Sequence, residues 1–316
     1  MLKVRTATEA DFNEILAQRD FSELDWDFVE TSAAVLKFRN VSVHVESERG
    51  RYVVPLLARR VFKVYPVALS LPFGLYGGVL PAQGMDAPSY GAIMQAVRKH
   101  LGMGIVFQNP FSQGVLDGLP AAPVSASYAH IVDTEGRVWA DVLAKSFEHK
   151  MRKNIKRAQQ NKIEIRVGRS PELVRDFYRL YALSNVRWGR DTPRYDLDFF
   201  LRYAERPFLE CRVAYDKDRP AAALIMLRFR NYYFGWFGGM DKALSNTRSN
   251  DLLHADLIKH SIESGVKCVN FGSSGKLAGV KKFKESFGAK EHTYGIYFVG
   301  NPLAQLGLKL VLSGGG

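Results

Sequence analysis

The chain has 316 residues, enough for about two domains. Its 47% hydrophobic and 24% charged residues are ordinary for a globular chain with a sizeable core, and two cysteines exclude a disulfide framework. The net charge of +12 says nothing about fold, but it favours acidic partners (nucleic acid, phosphorylated cofactors, an anionic membrane surface) unless the basic surface is inert.

Met1-Leu2-Lys3-Val4-Arg5 has no apolar signal core, and no run approaches the ~18 apolar residues of a membrane span. The expected location is the cytoplasm. Residues 41–49 alternate like a strand, Glu48 to Arg51 is a turn, and Tyr52 to Leu57 returns as a second strand. Leu71 to Leu80 is predicted as a glycine-rich third strand carrying Phe73-Gly74-Leu75-Tyr76-Gly77-Gly78-Val79. A loop at Pro81–Asp86 leads to a helix opened by Pro88 and striped by Ile93, Met94, Val97 and Leu101. Gly102 stops it, and Ile105-Val106-Phe107 is a fourth strand.

Val138 to Asn161 reads as one basic amphipathic helix. Leu143, Phe147, Met151 and Ile155 recur every four residues, among Lys145, His149, Lys150, Arg152, Lys153, Lys156 and Arg157. This face, with Lys150, Lys153, Lys156 and Arg157 foremost, suits tRNA or another polyanion. It equally suits a solvated helix packed through its stripe. A membrane-surface role ranks third, because the stripe is narrow and lacks tryptophan. A second helix follows at Glu172–Leu183.

The earlier order then recurs. Arg212–Tyr215 and Ala221–Phe229 form a hairpin through a turn at Asp216–Arg219. Tyr232–Met240 is a glycine-rich strand carrying Phe234-Gly235-Trp236-Phe237-Gly238-Gly239-Met240. A polar loop reaches the N-cap candidate Asn250, a helix carries Leu253, Leu257, Ile258 and Ile262 to Gly265, and Lys267–Phe271 closes as a strand. The two glycine strings start 161 residues apart (73 to 234), and the helix-ending glycines are 163 apart (102 to 265). A repeat of this length means a duplicated domain. Both cysteines, Cys211 and Cys268, fall in apolar strands and read as buried thiols.

Hairpin, glycine-rich strand, loop, helix and closing strand is the order of the acetyltransferase (GNAT) core. There the fourth and fifth strands splay, the donor carbonyl lies in the gap, and free N–H groups at the next helix hold the donor's phosphates. The expected fold is α/β (α+β): two tandem GNAT-like domains, each a mixed, mainly antiparallel sheet flanked by helices. The expected divisions are 1–130 (acceptor or scaffold half), 131–300 (donor half) and a tail at 301–316. The loop before Asn250 offers Arg248 and Ser249 to an anion, whereas Pro81–Ala87 carries Asp86 and no cation. Neither loop has the Gln/Arg-x-x-Gly-x-Gly/Ala string of many coenzyme A users. Lys99 to Gly104 resembles it only at the wrong place, the end of a helix.

The segment Phe271-Gly272-Ser273-Ser274 with Gly279 to Gly288, including Phe283-Lys284-Glu285-Ser286-Phe287-Gly288, resembles the FemAB-like branch of tandem acetyltransferases. Arg152 to Ala158, Leu71 to Gly78 and Ser249 to Leu253 agree with it. Ser273 stands where that branch often has arginine, and the long helical arm of some cell-wall members is missing. The resemblance implies an acyltransferase forming an amide: an activated aminoacyl or acyl group passes to an amine. No bound cofactor or metal is expected. The donor is aminoacyl-tRNA, slightly preferred, or an acyl thioester of coenzyme A or acyl carrier protein in polysaccharide, lipid or natural-product synthesis. A non-catalytic RNA-binding protein on the same fold is the reading from another class. By motif position Lys284 is the catalytic cation at the carbonyl oxygen, its alternative a solvated lysine beside Lys281 and Lys282. Arg248, Ser249, Asn250, Trp236, Gly238 and Phe283 are the donor-binding candidates, and Tyr76 and Gly77 the acceptor-binding ones. Asp251 suits the helix dipole. His149 and His254 read as surface or packing residues, and no general base stands out.

Overall fold

The computed structural model describes residues 2–17, 26–61, 65–71, 75–229, 231–275 and 277–301. They form two compact units: residues up to Ala129 together with the described residues from His292, and His130–Glu291.

Unit 1 begins with β1 (Lys3–Thr6), α1 (Glu9–Ala17), α2 (Trp26–Leu36), β2 (Arg39–Asn40), β3 (Val43–Ser47), β4 (Gly50–Val54), β5 (Leu57–Val61) and β6 (Tyr65–Leu69). It continues with α3 (Ala87–Leu101), β7 (Gly104–Phe107), α4 (Gln113–Leu116) and the first half of β8 (Ser125–Asp133). Strands β1, β3 and β4 form an antiparallel sheet. In the second sheet β2, β5 and β6 are antiparallel and β6 pairs parallel with β7. Asp86 caps α3 by accepting from Ser89 N, and Gly102 closes it at φ 65°. The helix buries Tyr90, Ile93, Met94 and Val97 against Val43, Val54, Ile105 and Phe107.

Unit 2 takes the rest of β8, then α5 (Trp139–Asp141), α6 (His149–Gln160), β9 (Glu164–Gly168), α7 (Pro171–Arg187) and α8 (Leu197–Ala204). Next come β10 (Leu209–Asp216), β11 (Arg219–Arg228), β12 (Tyr232–Met240), α9 (Ser249–Glu263), β13 (Cys268–Asn270) and α10 (Ala278–Glu285). The sheet order is β8-β13-β12-β11-β10-β9, antiparallel throughout except β12 with β13. Leu253, Leu257 and Ile258 of α9 and Met151 and Ile155 of α6 meet Ala222, Leu224, Met226 and Val269 of the sheet. The apolar stripe of the basic helix is therefore core, as its four-residue spacing allowed. Cys211 and Cys268 are buried thiols that form no disulfide.

Four expectations need correction. The glycine-rich strand expected at Leu71–Leu80 is not one: Pro72, Phe73 and Gly74 lie outside the described residues, and of the described ones only Leu80 bridges, to Val53. The strand that runs parallel to the closing strand is β6 instead. Val67 pairs with Gly104 as Tyr232 pairs with Cys268, so the strands repeat at offsets of 165 and 164 (67 to 232, 104 to 268). The helix expected over Val138–Asn161 is broken. A wide π-type turn at Val142–Ser146 ends in extended backbone at Phe147, because Glu148 N donates to Ser286 O instead of continuing the helix. The N-cap of α9 is Arg248, at φ 63° and without a side-chain cap bond, rather than Asn250. Finally β14 (Lys290–Val299), expected in the second half, pairs antiparallel through Tyr297–Val299 with β7 of unit 1. The tail expected at 301–316 lies outside the described residues beyond Asn301.

Candidate active site

The parallel pairing of β12 and β13 covers three residue pairs and ends at Phe234–Asn270, while β12 runs on to Met240. Two local features open this split. On β12, Ile225 pairs with Phe237 and Met226 with Gly235, so Trp236 is the unopposed residue of a bulge, which bends and twists its strand. On the other side the chain turns away at Gly272, φ 63°, held by Asn270 Oδ1 accepting from Gly272 N at 2.7 Å. Only glycine adopts that backbone without strain.

Lys284 reaches back to this turn from α10. Its Nζ donates to Gly272 O at 3.0 Å and to Ser273 O at 2.8 Å, and the residue is 8% exposed. Burial alone pushes its pKa down to about 7. It is therefore not one of a solvated run, and among the described residues two of its three N–H donors are committed, leaving one. Beside it Ser274 is buried, with no partner for Oγ among the described residues.

The Phe-Lys-x-x-Phe-Gly string has a geometric reason at each fixed position. Phe283 and Phe287, four apart on a helical turn, flank the His254 ring at centroid distances of 4.8 and 5.7 Å. Lys284 between them points to the strand split. Gly288 has φ 78°, and a Cβ there would sit 2.8 Å from Ser146 Cβ. His254 Nδ1 lies 2.8 Å from Asn250 O, and burial lowers its pKa to about 4, which keeps the imidazole neutral.

His130 on β8 was not singled out by the sequence. It is fully buried, and its pKa is lowered by burial first and by Lys284 second. Its Nε2 stands 3.8 Å from Glu285 Oε1 and 3.9 Å from Glu291 Oε2. The apolar run Ala129-His130-Ile131-Val132 would at most have flagged it as a residue of a buried strand.

The N-terminus of α9 follows a 3₁₀ turn at Lys242–Thr247. Arg248 and Asn250 are half-exposed there. Ser249 is buried and its hydroxyl pairs with Thr247 Oγ1 at 2.6 Å, so it turns inward. Asp251 is also buried. Burial raises its pKa, opposed by Arg248, by a hydrogen bond to Asn154 and by Lys150. The acid thus joins α9 to α6, beyond any dipole role. Lys150, Lys153, Lys156 and Arg157 all project into solvent from α6.

The remaining candidates are packed. Trp236 sits among Phe199, Tyr203 and Phe237, with its ring 4.8 Å from Tyr203. A Cβ on Gly238 would meet Leu224 at 3.2 Å, and one on Gly239 would lie 2.5 Å from backbone atoms of Leu180 and Tyr181. What the glycine-rich strand accommodates at Gly239 is helix α7. In unit 1 Tyr76 is buried edge-on against Phe111 and Tyr294, and Gly77 N donates to Gln108 O. The structure unites Lys284, Phe283 and His254, sets Arg248 and Asn250 at the N-terminus of the helix that carries His254, and walls in Tyr76, Gly77 and Trp236. Among the described residues no His/Cys/Asp/Glu group could hold a metal, and no helix is long and apolar enough to cross a membrane.

Residues 145–285 match the family model described as an acetyltransferase (GNAT) domain. No curated protein matches significantly. The crystal structure of FemX superposes with a TM-score of 0.76 at 13% identity, covering 96% of this chain and 99% of that one. The C-terminal domain of a putative lysylphosphatidylglycerol synthetase from Agrobacterium fabrum gives 0.60 at 14% identity, covering 95% and 94%. L-PGS from Bacillus licheniformis gives 0.55 at 13% identity, covering 96% of each chain. These likenesses show a shared fold, within which residues 145–285 match an acetyltransferase (GNAT) domain.

Proposed function

We propose that this chain, whose second unit is an acetyltransferase (GNAT) domain, moves an activated aminoacyl or acyl group to an amine at the split between β12 and β13. The amine nitrogen attacks the donor carbonyl, a C–N bond forms, and the C–O bond of an ester or the C–S bond of a thioester breaks. The proton lost by the amine ends on the leaving oxygen or sulfur. Negative charge gathers on the carbonyl oxygen meanwhile, and a fixed cation there is worth ~3–4 kcal/mol.

The observation that carries this reading is the buried Lys284 ammonium, held by Gly272 and Ser273 at the mouth of the split with one donor uncommitted. Because its pKa falls to about 7, a substantial fraction is charged at neutral pH, and that charge sits where burial strengthens it. Arg248 and Asn250 form the donor's anionic subsite. The walled-in Tyr76, Gly77 and Trp236 support packing rather than substrate contact.

The preferred donor is aminoacyl-tRNA, supported by the exposed cations of α6 and the net charge of +12. A coenzyme A or acyl-carrier thioester is the second reading, favoured by the acetyltransferase domain match. The test incubates the protein and an amine mixture with labelled aminoacyl-tRNA, acetyl-coenzyme A or long-chain acyl-coenzyme A. Consumption of the first alone supports the preferred donor. Consumption of a thioester selects the second reading. Consumption of none, with salt-sensitive RNA binding, leaves a non-catalytic RNA binder and overturns both.

A further inference from the structure

Six large hydrophobic side chains are exposed among the described residues, and three of them fall within six positions at the end of α7. Leu183 is 47% exposed, Val186 65% and Trp188 40%. The inner face of α7 explains why they point outward. Leu173, Val174, Phe177, Leu180 and Tyr181 are buried, and Gly239 admits the helix backbone against β12. Leu183 and Val186 lie at the i and i+3 positions of the opposite face in the last turn.

Arginines surround this trio. Arg179 precedes Leu183 by one turn, and Arg187, Arg190 and Arg194 follow, all exposed, while Asp191 is the one carboxylate between residues 179 and 195. The arginines are rooted in the protein. Arg187 donates to Ser184 Oγ and lies 5.8 Å from the Trp188 ring, and Arg190 donates to the buried Asn185 Oδ1. Among the described residues Arg187, Arg190 and Arg194 make no ion pair with a carboxylate.

We propose that this end of α7 is a docking surface for an anionic lipid bilayer. Tryptophan and aliphatic tips fringed by arginine suit the boundary between acyl chains and headgroups, where the apolar tips enter and guanidinium groups bind lipid phosphate. Three side chains are too few for a stable second copy, which needs about 800 Å² per partner. Leucine and valine offer nothing to a nucleic acid, which binds through phosphate contacts and base stacking. The proposal stands apart from the transfer chemistry, since it concerns neither the β12–β13 split nor α6.

The test is co-sedimentation of the full chain with vesicles of phosphatidylcholine, with and without phosphatidylglycerol, at several salt concentrations. Binding is expected only to the anionic vesicles. The pair Arg187→Gln/Arg190→Gln should weaken it by roughly 25-fold, about 5-fold per arginine. The pair Val186→Ser/Trp188→Ser should weaken it by at least ~10-fold. Vesicles with brominated acyl chains should quench tryptophan fluorescence in the parent and less in Trp188→Phe. Thermal melts of each variant confirm that it folds. Equal binding to neutral vesicles, no binding at all, or binding unchanged in both pairs overturns the proposal. So does a parent that self-associates and becomes monomeric in Val186→Ser/Trp188→Ser, which would assign the patch to a second copy.

Discussion

Replacing Lys284 by methionine separates a functional lysine from a structural latch. Methionine keeps roughly the length and volume and removes the charge. In the folded chain the lysine titrates at about 7, against an ordinary 10.5. At about 1.4 kcal/mol per unit, holding the charged form in the fold costs on the order of 5 kcal/mol. The sign follows from the protons bound. Below pH 7 both folded and unfolded chains carry the charge and the full cost applies. Between about 7 and 10.5 the folded chain has lost the proton that the unfolded chain keeps, so the cost fades as pH rises. Against this, the variant leaves the carbonyls of Gly272 and Ser273 without their donor, a loss of ~1–3 kcal/mol each. At pH 6 the variant should therefore lie between about 1 kcal/mol less stable and about 3 kcal/mol more stable than the parent. From pH 7 to 9 the parent should gain on it by about 1.4 kcal/mol per pH unit. Urea unfolding of both proteins at pH 6, 7.5 and 9 measures this, and shared titrations cancel in the difference. Turnover with whichever donor is consumed should fall by ~10²-fold or more. A difference in stability that stays constant from pH 6 to 9 refutes the buried, depressed lysine. Unchanged turnover refutes its role at the carbonyl oxygen.

Three further outcomes follow from the geometry. His254, held neutral with a pKa near 4, binds a proton more readily once unfolded, so stability should fall as pH drops from about 6.5 to 4, by about 3 kcal/mol in all; His254→Phe should flatten that part of the urea-unfolding profile. Gly239→Ala would set a Cβ 2.5 Å from the backbone of α7 and should cost about 1–3 kcal/mol, read as a lower melting temperature. Charge reversal at the exposed Lys153 and Lys156 should leave the melting temperature within about half a kcal/mol equivalent while weakening use of an aminoacyl-tRNA donor and reducing its salt slope; a thioester donor should be unaffected.

Much of unit 2 was legible in the residues because its signals are local. Alternation gave the hairpin β10–β11 and the strand β12, the four-residue apolar spacing gave the buried stripe of α6, and the Phe-Lys-x-x-Phe-Gly string marked Lys284. Local signals also misled. Two glycine strings 161 residues apart looked equivalent, yet one lies inside β12 and the other follows β6. A glycine reports that backbone must pass closely or turn, not which neighbour it passes: α7 for Gly239, the Tyr90 hydroxyl for Gly78. The single helix expected at Val138–Asn161 failed for a similar reason, since the bond from Glu148 to Ser286 spans 138 positions of sequence.

The residues alone thus determined which segments alternate, which coil, and which lysine stands in a motif, since these depend on neighbours a few positions apart. The tertiary structure decided what Lys284 is. Burial turns an apparent surface cation into one with a pKa near 7, and two carbonyls 11 and 12 residues upstream fix where its Nζ sits. It also brought His130 within the field of that lysine, from a strand more than 150 residues earlier. Desolvation and charge proximity are properties of position in space, and the chain order does not contain them.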